Sequence, residues 1–234
     1  MKTFQTEFLN PLLEINKDGR VGIQVKDNKL IAIVKGNSES ILLSEYSPIL
    51  IDDPVDRFFI SLSKLDKGIR CIKSETFSEF SIENNYLEYK DDKLKFNVKL
   101  LQPNMIPDSP KISPESIANH PIEGTVKVTY DDMKEIMRAK SFVSDIKKMY
   151  LSQEGEDAIF EFGDREIDHK DNIKVVLKDS CDGTFNSCVY ENTILDLFFR
   201  NKCDKLFKIG ARALIVDIEQ DNSKLTYLTA KLKK

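Results

Sequence analysis

The run Arg57-Phe58-Phe59-Ile60, continued by Ser61-Leu62-Ser63-Lys64-Leu65-Asp66-Lys67-Gly68-Ile69-Arg70-Cys71-Ile72-Lys73, changes its hydrophobic period at Ser61. Before Ser61 the residues are aromatic and β-branched and suit a strand. After it, Leu62, Leu65, Ile69 and Ile72 fall on one stripe of a helix turning about 100° per residue. Lys67 points almost directly away from that stripe, with Lys64 and Arg70 beside it. Three strand-like runs follow, at Phe77–Glu83, Tyr86–Lys90 and Lys93–Leu101, separated by Asn84-Asn85 and Asp91-Asp92. Such pairs are the turn chemistry of antiparallel hairpins. One strand, one amphipathic helix and three strands make a unit.

The same order of elements recurs on both sides. Upstream, a short helix near Glu7–Asn16 precedes strands Val21–Lys26, Leu30–Lys35 and Ser40–Tyr46, with turns at Asp18-Gly19, Asp27-Asn28 and Gly36-Asn37. Downstream, strand Thr125–Thr129 and helix Asp131–Ser144 lead into strands Lys148–Gln153, Ala158–Phe162 and Ile173–Lys178. A last unit has strand Ser187–Tyr190, helix Thr193–Asn201, and strands Lys205–Ala211, Ala213–Glu219 and Leu225–Leu232. Glu154-Gly155 and Asp221-Asn222 mark further turns. The pattern predicts an α+β chain of two similar domains, residues 1–101 and 124–234, each holding two β-α-β-β-β units. Between them, 102–123 carries Pro103, Pro107, Pro110, Pro114 and Pro121. That density presets extended backbone and removes amide donors, so a connector is expected there, with neither helix nor central strand. Met105, Ile106, Ile112 and Ile117 in this connector fit either packing onto its own domains or a groove for a partner.

Length and composition agree with two domains: 234 residues, 41% hydrophobic and 32% charged. The first ten residues lack the apolar run of a signal peptide, and no stretch approaches the ~20 apolar residues of a membrane span. Cys71, Cys181, Cys188 and Cys203 lack C-x-x-C spacing and read as reduced thiols of a cytosolic or nuclear protein. His120 and His169 have no metal-ligand spacing, and Walker, G-x-S-x-G and Rossmann motifs are absent from the sequence. The acidic run Asp164, Glu166, Asp168 and Asp171 lacks the glycine and terminal glutamate of a calcium loop and reads as a solvated hairpin tip. No enzyme, metal site or cofactor is expected.

Net charge is −4 and the isoelectric point is near 5.4, which disfavours DNA binding through a broad basic face. Local placement matters more than the sum. On the third helix Met133, Ile136, Met137, Val143 and Ile146 form the apolar side, with Lys134 and Arg138 opposite, beside Ser141. Charges opposite an apolar stripe are often plain solvated surface, but two helices in different domains repeat the cationic face. The first helix sets Glu7 and Glu14 opposite Phe8, Leu9, Leu12 and Leu13, with Lys17 at the edge. The fourth shows a narrow polar face of Asn192, Asp196 and Arg200, followed by Lys202.

Four stretches resemble the trimeric sliding clamps, the family of proliferating cell nuclear antigen and the phage polymerase clamps. They are Leu13–Asp18, Leu62–Cys71, Arg138 with Ser141 and Met149–Gln153, and Leu197-Phe198-Phe199 with the tail Leu225–Lys231. Lys17, Lys67, Arg70 and Arg138 stand on basic family positions that face DNA. The chain departs from the family at Ala230 or its neighbour, where a proline is usual, and in a first unit shorter than that of the cellular clamps. It departs also at Pro11, which interrupts or starts the first helix, and in a missing arginine on the fourth. Its shortness is closer to a viral or phage clamp than to a cellular one.

The resemblance implies a DNA-clamp fold, a homotrimeric ring around double-stranded DNA, and a processivity role for a DNA polymerase. DNA would meet Lys17, Lys64, Lys67, Arg70, Lys134, Arg138, Arg200 and Lys202. Polymerase and clamp loader would insert short peptides into a pocket of Leu30, Ile112, Ile117, Leu228, Thr229 and Ala230. Subunits would join through edge strands carrying Phe96, Val98, Val175 and Val176, side chains that a buried strand would also carry. The compartment implied is a bacterial host cytoplasm for a phage protein, or a nucleus for a eukaryotic one. The other readings are a clamp-fold scaffold without DNA, a monomeric factor, which should be far more basic, and a subunit of a heteromeric ring.

Overall fold

The computed structural model describes residues 4–36, 40–47, 57–72, 79–102, 113–143, 145–163, 165 and 171–232. The chain divides into two units, Met1–Pro114 with Gln220–Leu225, and Glu115–Glu219 with Thr226–Lys234.

In the first unit, β1 (Phe4–Gln5), α1 (Thr6–Ile15), β2 (Arg20–Lys26), β3 (Lys29–Lys35) and β4 (Ile41–Tyr46) make one repeat. The next is β5 (Arg57–Ser61), α2 (Leu62–Ile69), β6 (Glu79–Glu83), β7 (Tyr86–Lys90) and β8 (Lys95–Lys99). Each repeat lends its first strand to the other. β1 pairs with β6 and β5 pairs with β2, all antiparallel, so the sheets run β1-β6-β7-β8 and β4-β3-β2-β5. Neither repeat closes its own sheet, so the unit folds only as a pair.

The second unit repeats this exchange. Its strands are β9 (Ile122–Val128), β10 (Lys148–Glu154), β11 (Asp157–Phe162), β12 (Ile173–Leu177), β13 (Cys181–Gly183), β14 (Cys188–Glu191), β15 (Lys205–Gly210), β16 (Ala213–Glu219) and β17 (Ser223–Ala230). The sheets run β12-β11-β10-β14 and β13-β9-β15-β16-β17, with β14 lent to one and β9 to the other. Its helices are α3 (Pro114–Ala118), α4 (Tyr130–Phe142) and α5 (Ile194–Arg200).

Local chemistry explains most element boundaries. Asp27 and Asn28 at φ 49° and 58°, and Asn84 and Asn85 at 48° and 66°, take the left-handed conformation that two-residue hairpins require. Thr129 caps α4: its hydroxyl accepts from Asp132 N at 3.1 Å, and Asp132 Oδ2 accepts from Thr129 N at 2.9 Å. Replacing Thr129 by Ala is expected to destabilise the protein by about 1 kcal/mol. A urea titration reads this as a lower midpoint with an unchanged slope.

Several expectations are corrected. Helix 61–73 is shorter: α2 stops at Ile69, and Cys71 N and Ile72 N bond back three residues in a tightened turn. Gly68 helps both to end it and to seat it, since a Cβ there would lie 2.4 Å from the Phe96 ring. On α4 the buried residues are Met133, Ile136 and Ala139, followed by Val143, whereas Met137 and Ile146 are only half-buried. The proline-rich segment does hold a helix, α3. Pro114 is its first residue, where a missing amide costs nothing. Pro11 neither starts nor breaks α1, which runs through it. Local sequence signals carry no sign of β1 or β13. Residues 103–112, Lys73, the start of 77–83, and Asp164, Glu166 and Asp168 lie outside the described residues. No helix among the described residues is long and apolar enough to cross a membrane.

The cores are aromatic. Phe80, Tyr89 and Phe96 cluster in the first unit with centroids 5.3–6.0 Å apart. In the second, Phe207 contacts Phe160 at 5.7 Å and Phe198 at 5.6 Å, and Phe198 contacts Tyr227 at 5.3 Å.

Candidate DNA-facing helices and sheet edges

α2 buries Leu62 and Leu65 and leaves Lys64 and Lys67 exposed, with Arg70 exposed at its C-cap. Cations in the last turn also favour the helix dipole. Arg70 is not alone: its guanidinium meets Asp66 Oδ2 at 2.7 Å. Lys64 and Lys67 make no ion pair with another described residue.

α4 buries Met133, Ile136 and Ala139 and carries Lys134 and Arg138 on its other side. Here an acid stands three residues before each cation, as Asp66 stands four before Arg70. Lys134 Nζ lies 2.6 Å from Asp131 Oδ1, and Arg138 Nη1 lies 2.5 Å from Glu135 Oε1. Lys134 also sits 4.7 Å over the Tyr130 ring, a cation–π contact. The hydrogen bond from Lys134 holds the Asp131 carboxyl below the ordinary aspartate range, and the same bond raises the lysine. Lys17 is exposed in the turn after α1, and Arg200 and Lys202 are exposed at and beyond the end of α5.

Two lysines that sequence reasoning passed over shape this surface. Lys140 reaches from α4 to Asp196 of α5 at 2.6 Å. Lys205 is buried, donating to the carbonyls of Asn201 at 2.7 Å and of Cys203, and its ammonium lies 5.6 Å from the Tyr130 ring. Burial pushes its pKa down. It closes the C-terminal end of α5, next to Arg200 and Lys202. An i−3 acid on a helix is legible in sequence; a lysine turned inward is not.

The remaining candidates sit as follows. Leu30 is buried in β3 of the first unit, opposite Val25 and Tyr46. In the second unit Ile117 is buried in α3, Thr229 is buried, Leu228 is half-buried and Ala230 is exposed. Beyond Ala230 the chain is tied down by Lys231 N to Arg212 O at 3.0 Å and Leu232 N to Val189 O at 2.8 Å. Ile112 lies outside the described residues.

β8 and β12 are each the last strand of their sheet. Phe96 stacks on Tyr89 at 5.3 Å and Val98 is buried, so both side chains serve the core of the first unit. The opposite face of β8 shows Lys95, Asn97 and Lys99, all exposed. On β12, Val175 is half-buried and Val176 is 46% exposed. α4 packs on β12, and its Phe142 is 64% exposed. Phe142 stands nine residues after Met133, hence on the opposite side of the helix. A large apolar residue on a charged face was the signal available in the sequence.

Two solved structures align with the chain from end to end. The A. fulgidus PCNA bound to the C-terminal region of FEN-1 matches with a TM-score of 0.79 at 12% identity, over 100% of this chain and 99% of that one. PCNA from Entamoeba histolytica matches with a TM-score of 0.75 at 10% identity, over 99% and 98%. No family model and no curated protein sequence matches the chain. The chain therefore has the clamp fold of PCNA.

Proposed function

We propose that this protein is a sliding clamp: a non-catalytic ring that encircles duplex DNA and keeps a polymerase on its template. The observation that carries this is the end-to-end clamp fold with exposed cations on α2 of one unit and α4 of the other. Cations on helices suit sliding, because side chains reaching phosphates give loose contacts that hold no sequence register. The ring is a homotrimer of the viral or phage type, closed head to tail by the β8 edge of one copy against the β12 edge of the next. Polymerase and loader dock short peptides at Leu30, Ile112, Ile117, Leu228, Thr229 and Ala230, as one of the matched clamps holds a FEN-1 segment.

Primer extension on a long single-stranded template tests this. Adding the protein to its polymerase should lengthen products made in a single binding event by an order of magnitude or more. Product lengths that do not change with added protein would contradict it.

One observation favours a second reading, a subunit of a heteromeric ring or a clamp-fold scaffold without processivity function. Both edges show lysines, Lys95 and Lys99 on β8, and Lys174 on β12 with Lys178 directly after it, although Lys95, Lys174 and Lys178 are paired with Glu88, Glu161 and Asp157. Lysines on an edge oppose pairing with another edge of like charge. A single species of three identical chains in solution would remove the heteromeric ring, and longer products in the primer-extension assay would remove the scaffold.

A further inference from the structure

The cations on α2 and α4 divide into two kinds, and the division follows the acids rather than the helices. Arg70, Lys134 and Arg138 are each held by an acid one turn earlier on the same helix: Asp66 at 2.7 Å, Asp131 at 2.6 Å and Glu135 at 2.5 Å. Lys64 and Lys67 have no such acid at three or four residues and form no ion pair with a described residue. The arrangement recurs in both units, and Asp196 takes Lys140 out of the exposed set in the same way at 2.6 Å.

Each pair has no net charge. A phosphate approaching Arg138 must compete with a carboxylate already bonded to it and is repelled by that carboxylate. The competition is close, because an exposed ion pair is weak and opens readily. Its neutrality still lowers the number of counterions that DNA releases on binding, the quantity that sets affinity and salt dependence.

The geometry points to Asp66, Asp131 and Glu135 as attenuators of DNA contact. They hold three of the helix cations in neutral pairs, so that Lys64 and Lys67 supply the persistent attraction and the paired cations add weak, exchangeable contacts. This rests on the reading of the protein as a DNA clamp and says how its grip is limited. A clamp that must move needs a shallow attraction, and an acid one turn from each cation provides it without removing the cation. The alternative account, that i,i+3 and i,i+4 pairs merely support the helices, makes the opposite prediction for DNA.

The test is the triple variant D66N/D131N/E135Q of the full chain, titrated by fluorescence anisotropy against a labelled 30-base-pair duplex from low to moderate salt. Solution mass and far-UV circular dichroism check that assembly and helices are retained. Each acid removed should strengthen binding about 1.5- to 5-fold at low salt, so that the triple variant binds roughly tenfold tighter. The slope of log affinity against log salt should steepen by up to ~0.9 for each cation released. A companion pair sharpens the comparison: K67A should lose more affinity and more slope than R138A, although each removes one cation. Affinity and slope equal to or below those of the parent in the triple variant, or equal losses in K67A and R138A, would overturn the proposal while leaving the DNA reading intact. No binding by the parent protein at any salt would overturn both.

Discussion

For the sliding clamp proposed, the variant K67E/R70E/R138E is expected to lose processive synthesis entirely while keeping its assembly. All three side chains are exposed on helix faces turned away from the apolar stripe, so their reversal removes no core contact. Removing three cations alone would reduce the salt slope by at most ~2.7, and putting acids in their place makes each helix repel the phosphates. Primer extension should give the product lengths of polymerase alone, with solution mass and thermal midpoint close to those of the parent. The three changes are not equal. Arg70 and Arg138 enter already paired with Asp66 and Glu135, so K67E alone should account for the largest share. Processivity surviving the triple change would mean that DNA meets another face.

The second large effect concerns the proposed ring. Phe142 and Val176 are 64% and 46% exposed on adjacent elements of the second unit, so much of each side chain lies outside its core. Covering such side chains at an interface contributes about 1.5–3 kcal/mol each. The variant F142A/V176K should therefore weaken each subunit contact by several kcal/mol and shift the protein to monomers at micromolar concentration. Lysine is used at position 176 because Lys95 and Lys99 on the β8 edge would attract an acid there. Light scattering should show the mass of one chain with the thermal transition retained. A persistent trimer would place the subunit contact elsewhere.

Much of the fold is legible in sequence, for identifiable reasons. Asp27-Asn28 and Asn84-Asn85 mark their hairpins because those residues tolerate positive φ, and the structure finds them there. The change of period at Ser61 marks the passage from β5 to α2 for the same local reason. What local signals do not carry is partner choice among strands. That β5 leaves its own repeat to pair with β2, and β14 with β10, follows from closing sheets over the helices, a requirement of the whole unit. β1 is too short to show alternation, and α3 is hidden by prolines that exclude a helix everywhere except its first turn.

The candidate site is legible to a lesser depth. Periodicity places Lys67 and Arg138 on exposed faces, as observed. It treats them as equivalent, whereas the structure separates them by whether an acid lies within reach. The spacing Asp131 to Lys134 and Glu135 to Arg138 contains that information, but an acid on a helix surface also turns freely to solvent, and only coordinates tell the two apart. Lys205 illustrates the opposite failure: a lysine at the start of a strand reads as surface, and here carbonyls at the end of α5 draw it inside.

Topological retention on DNA tests the central claim most directly. The protein, at high concentration, is threaded onto a long linear duplex whose ends are then blocked with bulky groups, and bound protein is measured after a high-salt wash. A ring is predicted to stay on the blocked duplex, to leave when one end is cut open, and to be absent when both ends are blocked beforehand. Binding that salt removes equally in all three cases would contradict encirclement.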